Sequence, residues 1–180
     1  LISERSYSEI ISELFDNIQV AKNKNKVVEL LQRIAPEIKD ITSIGKKLKL
    51  YCDVGLPQLV PIDILGNGII KSLIIIMSII EAQKDGIVLI DELENGLHWK
   101  SLKTLWKAIF ESAKEFNTQI FISTHSWECL EALSEVYEEN FNDEEILMLF
   151  RLERENDNYS IVDYDTKTLK TSLERKWEVR

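Results

Sequence analysis

The sequence predicts an α/β fold, because apolar runs and amphipathic stretches alternate between residues 86 and 138. The runs Ile87–Ile90 and Gln119–Ile122 are short and continuous, which is typical of strands buried on both faces of a parallel sheet. Trp99–Phe116 lies between them and repeats apolar residues at helical spacing, and residues 127–138 return to that spacing. Strand, helix, strand and helix in this order indicate an α/β core.

The first 45 residues are predicted to form a helical lobe. Ser6 and Glu9 have the spacing of a capping box, and two apolar stripes follow on either side of the polar stretch 22–26. Pro36 is expected to start or kink a helix, and Gly45 is expected to cap its end. The stripes consist of Tyr7, Ile10, Ile11, Leu14, Phe15 and Ile18, then Val27, Leu30, Leu31, Ile34, Ile38 and Ile41.

Extended segments and one helix are predicted between the lobe and the α/β core. Residues 48–54 and 58–64 have the composition of strands. Gly66 and Gly68 then mark a loop, and residues 69–83 form an apolar helix.

A β-hairpin and a last helix are predicted after the core. Residues 146–152 and 159–164 flank a polar turn, which is the pattern of a hairpin. An amphipathic helix is expected over residues 166–177. We therefore predict two parts, a helical lobe over 1–45 and one unit over 46–180.

Composition limits the classes of protein. The 180 residues are 44% hydrophobic, which is enough for a compact core. A net charge of −9 argues against binding nucleic acid through bulk positive charge. The chain begins with Leu1, so we expect it to be part of a longer protein.

The cysteines and the apolar segments indicate a cytoplasmic protein. The two cysteines, Cys52 and Cys129, form no CxxC pair, and we expect buried free thiols in a reducing compartment. The most apolar run, residues 73–80, is shorter than the roughly 20 residues that span a membrane. No signal peptide is visible, so we expect no membrane partner.

Two carboxylates follow the first apolar strand. Asp91 and Glu92 come directly after Ile87–Ile90, at the strand end where α/β folds bind ligands. This is the arrangement of a Walker B motif. Its first acid holds Mg²⁺, usually through water, and its second orients and deprotonates an attacking water. The alternative is a strand that happens to end in an acidic turn.

A histidine follows the second strand, in the run Ser123-Thr124-His125-Ser126. If the two strands are neighbours in the sheet, His125 lies beside the carboxylates, where it can donate to a phosphate oxygen. An ordinary surface or capping role is the alternative for a lone histidine. Both histidines of the chain, His98 and His125, fall in this region, which favours the functional interpretation.

The glycine loop before the core matches a phosphate-binding P-loop only in part. A Walker A motif reads GxxxxGK[ST]. Lys71 lies one residue too close to Gly66, and Ile70 stands where the motif has glycine. The isoleucine side chain would block the tight backbone cradle. We therefore do not interpret this loop as a P-loop, and we find no Walker A motif in the chain.

These motifs resemble a known family. The stretch IVLIDELENGLH, followed by QIFISTHSWECLEAL, is similar to ABC-type ATPases of the OLD and RecF-like group, which are also described as AAA family ATPases. Residues 94–98 match the D-loop of that group, and residues 124–126 match its switch loop. The segment LVPIDILGNGIIKSLIII resembles its signature loop. The resemblance covers about residues 46–180.

The resemblance implies a P-loop NTPase of ABC type whose first strands and Walker A lie outside this chain. Two heads would sandwich ATP and Mg²⁺ between them. Gly66 replaces the serine, and Ile69 the glutamine, of the common Leu-Ser-Gly-Gly-Gln signature. By this resemblance, Asp91 would bind Mg²⁺, Glu92 would be the catalytic base and His125 would contact the γ-phosphate. The partner's nucleotide would be contacted by Gly66, Asn67, Gly68 and Lys71. Asn95 and His98 would couple the two sites across the interface.

The resemblance also implies partners. We expect a homodimer or another dimer of ATPase heads, with a nuclease or other effector that hydrolysis drives, including in defence against phage; DNA binding is permitted. One alternative is a non-catalytic regulatory or interaction module, against which the retained Asp91, Glu92 and His125 argue. The other is a DNA-repair head of the SMC or RecF kind. That head predicts long coiled coils or a basic groove, and the acidic chain shows neither.

Overall fold

The computed structural model describes residues 7–45, 49–82, 86–141, 147–155 and 158–164, together with Thr168 and Thr171. Its elements are α1 (Tyr7–Val20), α2 (Lys24–Ile34), β1 (Asp40–Ile44), β2 (Lys49–Asp53), β3 (Val60–Pro61), a 3₁₀ turn (Ile62–Ile64), α3 (Asn67–Ala82), β4 (Ile87–Ile90), α4 (Trp99–Phe116), β5 (Gln119–Ile122), α5 (Trp127–Asn140), β6 (Leu149–Glu155) and β7 (Asn158–Tyr164).

The helical prediction for the first 45 residues is correct over α1 and α2 and wrong beyond them, while Ser6 of the predicted capping box lies outside the described residues. Residues 40–44 form strand β1, which pairs antiparallel with β2 across the predicted boundary at residue 45, and β3 extends this sheet. No helix starts at Pro36, which lies in a turn, and Gly45 follows a strand rather than a helix. Ile38 and Ile41 are nevertheless fully buried, as their apolar character predicts.

Helix α3 lies between two hydrophobic clusters. One side of α3, including Leu73 and Ile76, packs with α1, α2, β1 and β2. The other side contributes Ile75 and Ile79 to a cluster with β4, α4 and α5. A helix that is apolar nearly all round is expected to be buried on several sides. Helix α3 therefore joins both clusters, and Lys71 near its start contacts the segment that follows β4.

Strands β4 and β5 form a two-stranded parallel sheet in the described part of the chain, with Ile87 opposite Gln119 and Ile90 opposite Ile122. The prediction that both faces are buried is wrong here. Val88 packs into the core, but Ile87 is 60% exposed, Leu89 76% and Phe121 50%. Alternate residues of a strand point to opposite faces, so one face of the sheet is covered and the other is open and apolar.

The predicted C-terminal hairpin is present, since β6 and β7 pair antiparallel from Leu149↔Tyr164 to Glu155↔Asn158. Its first strand is Leu149–Glu155 rather than residues 146–152. The helix predicted over residues 166–177 lies outside the described residues, apart from Thr168 and Thr171. Among the described helices, none combines the length and the apolar character needed to cross a membrane.

Candidate active site

The parallel pairing of β4 and β5 brings their two carboxyl ends together, as the sequence predicted. Immediately beyond the strands, the Ser123 N–H donates to the carbonyl of Ile90 over 2.9 Å, and the Leu93 N–H donates to the carbonyl of Ser123 over 3.1 Å. The chain that carries Asp91 and Glu92 therefore runs alongside the chain that leads to His125. The side chains of these three residues are exposed at this edge.

Ser123 connects the two carboxylate residues. Its hydroxyl donates to Asp91 Oδ1 over 2.5 Å and accepts from the Glu92 N–H over 2.9 Å. The serine hydroxyl thus fixes both the carboxylate of Asp91 and the backbone that leads into Glu92. Among the described residues no three metal-ligating side chains converge. This donor set fits Mg²⁺, which keeps several waters and needs only one or two carboxylates from the protein.

Glu92 adopts a left-handed backbone with φ +47°. This conformation is uncommon for a residue with a side chain, and it persists where neighbouring groups enforce it. The side-chain amide of Asn95 donates to Glu92 Oε2 over 3.4 Å. Glu92 is therefore held through its backbone N–H by Ser123 and through its carboxylate by Asn95.

Glu94 is a site residue with no individual role assigned from the sequence. Its Oε2 accepts from the Thr124 hydroxyl over 2.7 Å, and its Oε1 accepts from the His125 N–H over 2.8 Å. Partial burial raises the pKa of Glu94, but these hydrogen bonds outweigh burial, and the net pKa lies below its ordinary value. The only sequence signal was its position beside Thr124 and His125 if the two strands are neighbours.

The glycine loop at the start of α3 packs against the segment after Asp91. Lys71 Nζ donates to the backbone carbonyls of Glu92 over 2.5 Å and Asn95 over 3.1 Å. A Cβ added to Gly68 would lie 3.3 Å from the carbonyl oxygen of Gly96, so glycine permits this close approach. Burial lowers the pKa of Lys71, against the opposing effect of nearby carboxylates.

His98 begins helix α4. Its Nδ1 accepts from the Lys100 N–H over 3.2 Å, and its ring stacks on Trp99 with centroids 5.7 Å apart. His98 is thus the N-cap of α4, whereas the sequence leaves a capping role open only for His125. Gly66 takes φ +94° just before α3, and Asn67 is the exposed first residue of that helix.

The fold and the ordered motifs define a P-loop NTPase-like chain of the AAA/ABC ATPase class. Residues 2–130 match a family model described as "AAA ATPase domain", and the chain belongs to that family. It is 30% identical over 132 residues to an "ATP/GTP phosphatase" of Helicobacter pylori, matching 72% of this chain and 35% of the relative. It is 37% identical over 71 residues to an uncharacterized protein of Methanocaldococcus jannaschii, matching 39% of this chain and 61% of the relative. The chain therefore spans only part of either relative.

Solved structures of SMC ATPase heads share the fold. One comes from work on "ATP-driven dimerization and DNA stimulated activation of SMC ATPases"; it has a TM-score of 0.60 and 13% identity, and the match covers 94% of this chain and 96% of that one. The other is an SMC head bound to the C-terminal winged-helix domain of ScpA, with a TM-score of 0.57, 12% identity and coverage of 92% and 50%. At these identities the likeness concerns the fold alone.

Proposed function

We propose that this chain supplies the Walker B, D-loop and switch part of an ABC-type head that binds and hydrolyses ATP. The observation that carries the proposal is the joined strand ends. Ser123 links Asp91 to the backbone of Glu92, and Glu94 binds the backbone of His125. These bonds place the Asp91 carboxylate, the Glu92 backbone and the His125 backbone at one edge of the sheet, which supports a shared site.

Each acidic residue of the strand end has its own task in this proposal. Asp91, whose Oδ1 is oriented by Ser123, contributes to the Mg²⁺ site. When bound, Mg²⁺ neutralises phosphate charge. Glu92 takes a proton from the attacking water at its carboxylate, which Asn95 orients. His125 donates to the γ-phosphate.

The signature loop acts on the nucleotide of a second head in this proposal. Gly66, Asn67 and Gly68 bring backbone N–H groups to the start of α3, and a helix N-terminus favours anions. Lys71 donates to the carbonyls of Glu92 and Asn95 within its own chain. The loop that contacts one nucleotide is thus bonded to the segment that carries the base for the other. Asn95 and His98 would couple the two nucleotide sites across the dimer interface.

The exposed apolar face of the β4–β5 sheet suggests that another part of the head covers it. Ile87, Leu89 and Phe121 form a contiguous apolar surface, because Leu89 lies opposite Phe121 in the register. Parallel sheets are normally covered on both faces. We propose that this face packs against the part of the head that carries Walker A, a motif that residues 1–180 do not contain.

We propose the wider setting from the family resemblance alone. A nuclease or other effector would use the hydrolysis, with phage defence as one such role and DNA as a permitted ligand. The buried free thiols of Cys52 and Cys129 fit a reducing cytoplasm.

Calorimetry with Mg-ATP tests the division of the site. Residues 1–180 alone should release little heat, since the Walker A lysine and amides provide most phosphate contacts. Adding the Walker A-bearing segment of the same head should create binding. Micromolar affinity of residues 1–180 alone would contradict the proposal and favour residues 66–72 as a P-loop.

A further inference from the structure

We propose that Glu94 is a positioning residue that ties the D-loop to the switch loop and so sets the backbone of His125. The inference rests on the proposed ATPase function and adds a positioning residue to the same site. It starts from the two oxygens of one carboxylate, each of which accepts from a different residue of the switch loop, Thr124 and His125.

The hydrogen-bond directions around Glu94 are fixed. The Thr124 oxygen accepts from the Ser126 N–H over 3.1 Å, so its proton is free to point at Glu94 Oε2. The backbone N–H of His125 can only donate, and it does so to Oε1 over 2.8 Å. One side chain therefore satisfies two consecutive donors of the switch loop. Hydrogen bonds to a charged acceptor are stronger than neutral ones.

Glu94 is itself held by the D-loop that it belongs to. Its carbonyl accepts from the Leu97 N–H over 3.0 Å, and the neighbouring Asn95 carbonyl accepts from Lys71 over 3.1 Å. The D-loop is thus bonded to helix α3 by Lys71 on one side and to the switch loop by Glu94 on the other. A displacement of the D-loop at the partner surface would move the backbone of His125 through this carboxylate.

The geometry favours positioning over chemistry at Glu94. The side chain is half-buried, whereas Asp91, Glu92 and His125 are exposed. Both oxygens already accept hydrogen bonds from the protein. These two bonds hold the Glu94 carboxylate against the switch loop, which suits a positioning role.

Two substitutions separate the roles. Glu94→Gln keeps an oxygen for the His125 N–H, and its amide can donate to the Thr124 hydroxyl, which rotates to accept. Glu94→Ala removes both bonds. Hydrogen exchange of the His125 amide, followed by NMR in residues 1–180, should accelerate about 10- to 100-fold in Glu94→Ala, the worth of a charged hydrogen bond. In Glu94→Gln it should stay within a few-fold of the native rate.

Glu128→Ala is the matched control. Glu128 also accepts a hydrogen bond from the switch loop, from the Ser126 hydroxyl over 2.8 Å, but it lies on α5 and not on the D-loop. It should leave His125 exchange unchanged. If Glu94→Ala unfolds the chain, Thr124→Val gives a second test, because it removes one of the two bonds and should shift the Glu94 carboxylate and accelerate His125 exchange by a smaller factor. Unchanged exchange in a folded Glu94→Ala or Thr124→Val chain would overturn the inference.

Hydrolysis by the head assembled with its Walker A segment distinguishes this inference from the proposed function. Glu94→Ala should lower kcat and change KM for ATP only a little. Glu94→Gln should keep most of the native kcat. Equal damage by both would overturn the positioning role and make the carboxylate itself part of the chemistry. If Glu92→Gln leaves hydrolysis intact, the proposed function fails. If only Glu92→Gln abolishes it, this inference alone fails.

Discussion

Glu92 carries the least favourable backbone of the proposed catalytic residues. Its φ of +47° is retained because Ser123 binds its N–H, Lys71 binds its carbonyl and Asn95 binds its carboxylate. Strained residues of this kind cost about 1–3 kcal/mol and concentrate at functional sites. Three neighbours from three segments therefore direct one carboxylate outward from the sheet edge.

Lys71→Met tests how much the bond from helix α3 contributes to the conformation of Glu92. Removing a charged donor from two carbonyls should lower the free energy of unfolding by about 1.5–3 kcal/mol, less any screening by water. It should also accelerate hydrogen exchange in the D-loop. Lys100→Met, an exposed lysine just after the D-loop, is the control and should change little. Equal effects of the two variants would contradict the role of Lys71 as a link within the chain.

The carboxylate of Glu94 should make stability depend on acid pH. Its pKa in the folded chain lies below the ordinary value of 4.5, so the unfolded chain binds the proton more readily. The stability advantage of native Glu94 over Glu94→Gln is therefore full above pH 4.5 and is lost as the pH falls through the lowered pKa. Urea unfolding of both chains across this range measures the difference. An advantage that persists unchanged in acid would contradict the assignment.

Residue patterns predicted part of this site and could not predict the rest. Asp91, Glu92 and His125 follow apolar strands, and the parallel pairing of those strands brings their segments together. The contacts of Glu94 and Lys71 depend on how the D-loop folds back between α3 and β5. No local periodicity encodes that path, so the sequence could assign Lys71 only by analogy, to the nucleotide of a partner.

Among the elements, β1 shows why apolar spacing is ambiguous. Ile34, Ile38 and Ile41 repeat at helical intervals, and Ile38 and Ile41 are buried as a helix would require. The same positions also suit a turn followed by a strand, and pairing of residues 40–44 with β2 decides the outcome. The core residues were thus predictable, whereas the type of element depended on a partner strand elsewhere in the sequence.

The open face of the β4–β5 sheet yields a prediction at the level of the element. Leu89→Ser should change the free energy of unfolding of residues 1–180 by no more than about 0.5 kcal/mol, because Leu89 is exposed. It should weaken association with the Walker A-bearing segment, measured by calorimetry.

Val88→Ser is the control on the opposite face of the same strand. Val88 is buried, so its replacement should destabilise the chain itself by more than about 2 kcal/mol. If Leu89→Ser leaves association with the Walker A-bearing segment unchanged, the open face is not the docking surface.

For the whole molecule, each of the two hydrophobic clusters contains one cysteine, whose reactivity reports the packing of that cluster. Cys52 lies in the cluster with α1 and α2, and Cys129 lies in the cluster with α4 and α5. Burial raises the pKa of Cys52 to about 11 and also raises the pKa of Cys129. Both thiols should resist a disulfide reagent at neutral pH until the chain unfolds. Rapid labelling of either thiol in the native chain would contradict the packing of that cluster.

The fold class was predictable from the sequence, whereas the secondary structure of the N-terminal lobe was predictable only in part. The apolar runs that form α3, β4 and β5 are long or continuous enough to identify alone. The likeness to SMC heads then agrees with an ABC-type ATPase fold over 94% of the chain. We propose that a head with this fold hydrolyses ATP at the edge of the β4–β5 sheet, with Glu92 as the base.

Glu92→Gln in the head assembled with its Walker A segment tests that claim most directly. The substitution keeps the size of the side chain and the partner for Asn95 but removes the basicity. Mg-ATP binding should persist, hydrolysis should fall about 10²- to 10⁴-fold, and an ATP-dependent dimer of heads should accumulate. The measurement compares ATPase rate, ATP affinity and dimer content side by side. Near-native turnover by Glu92→Gln would contradict the account.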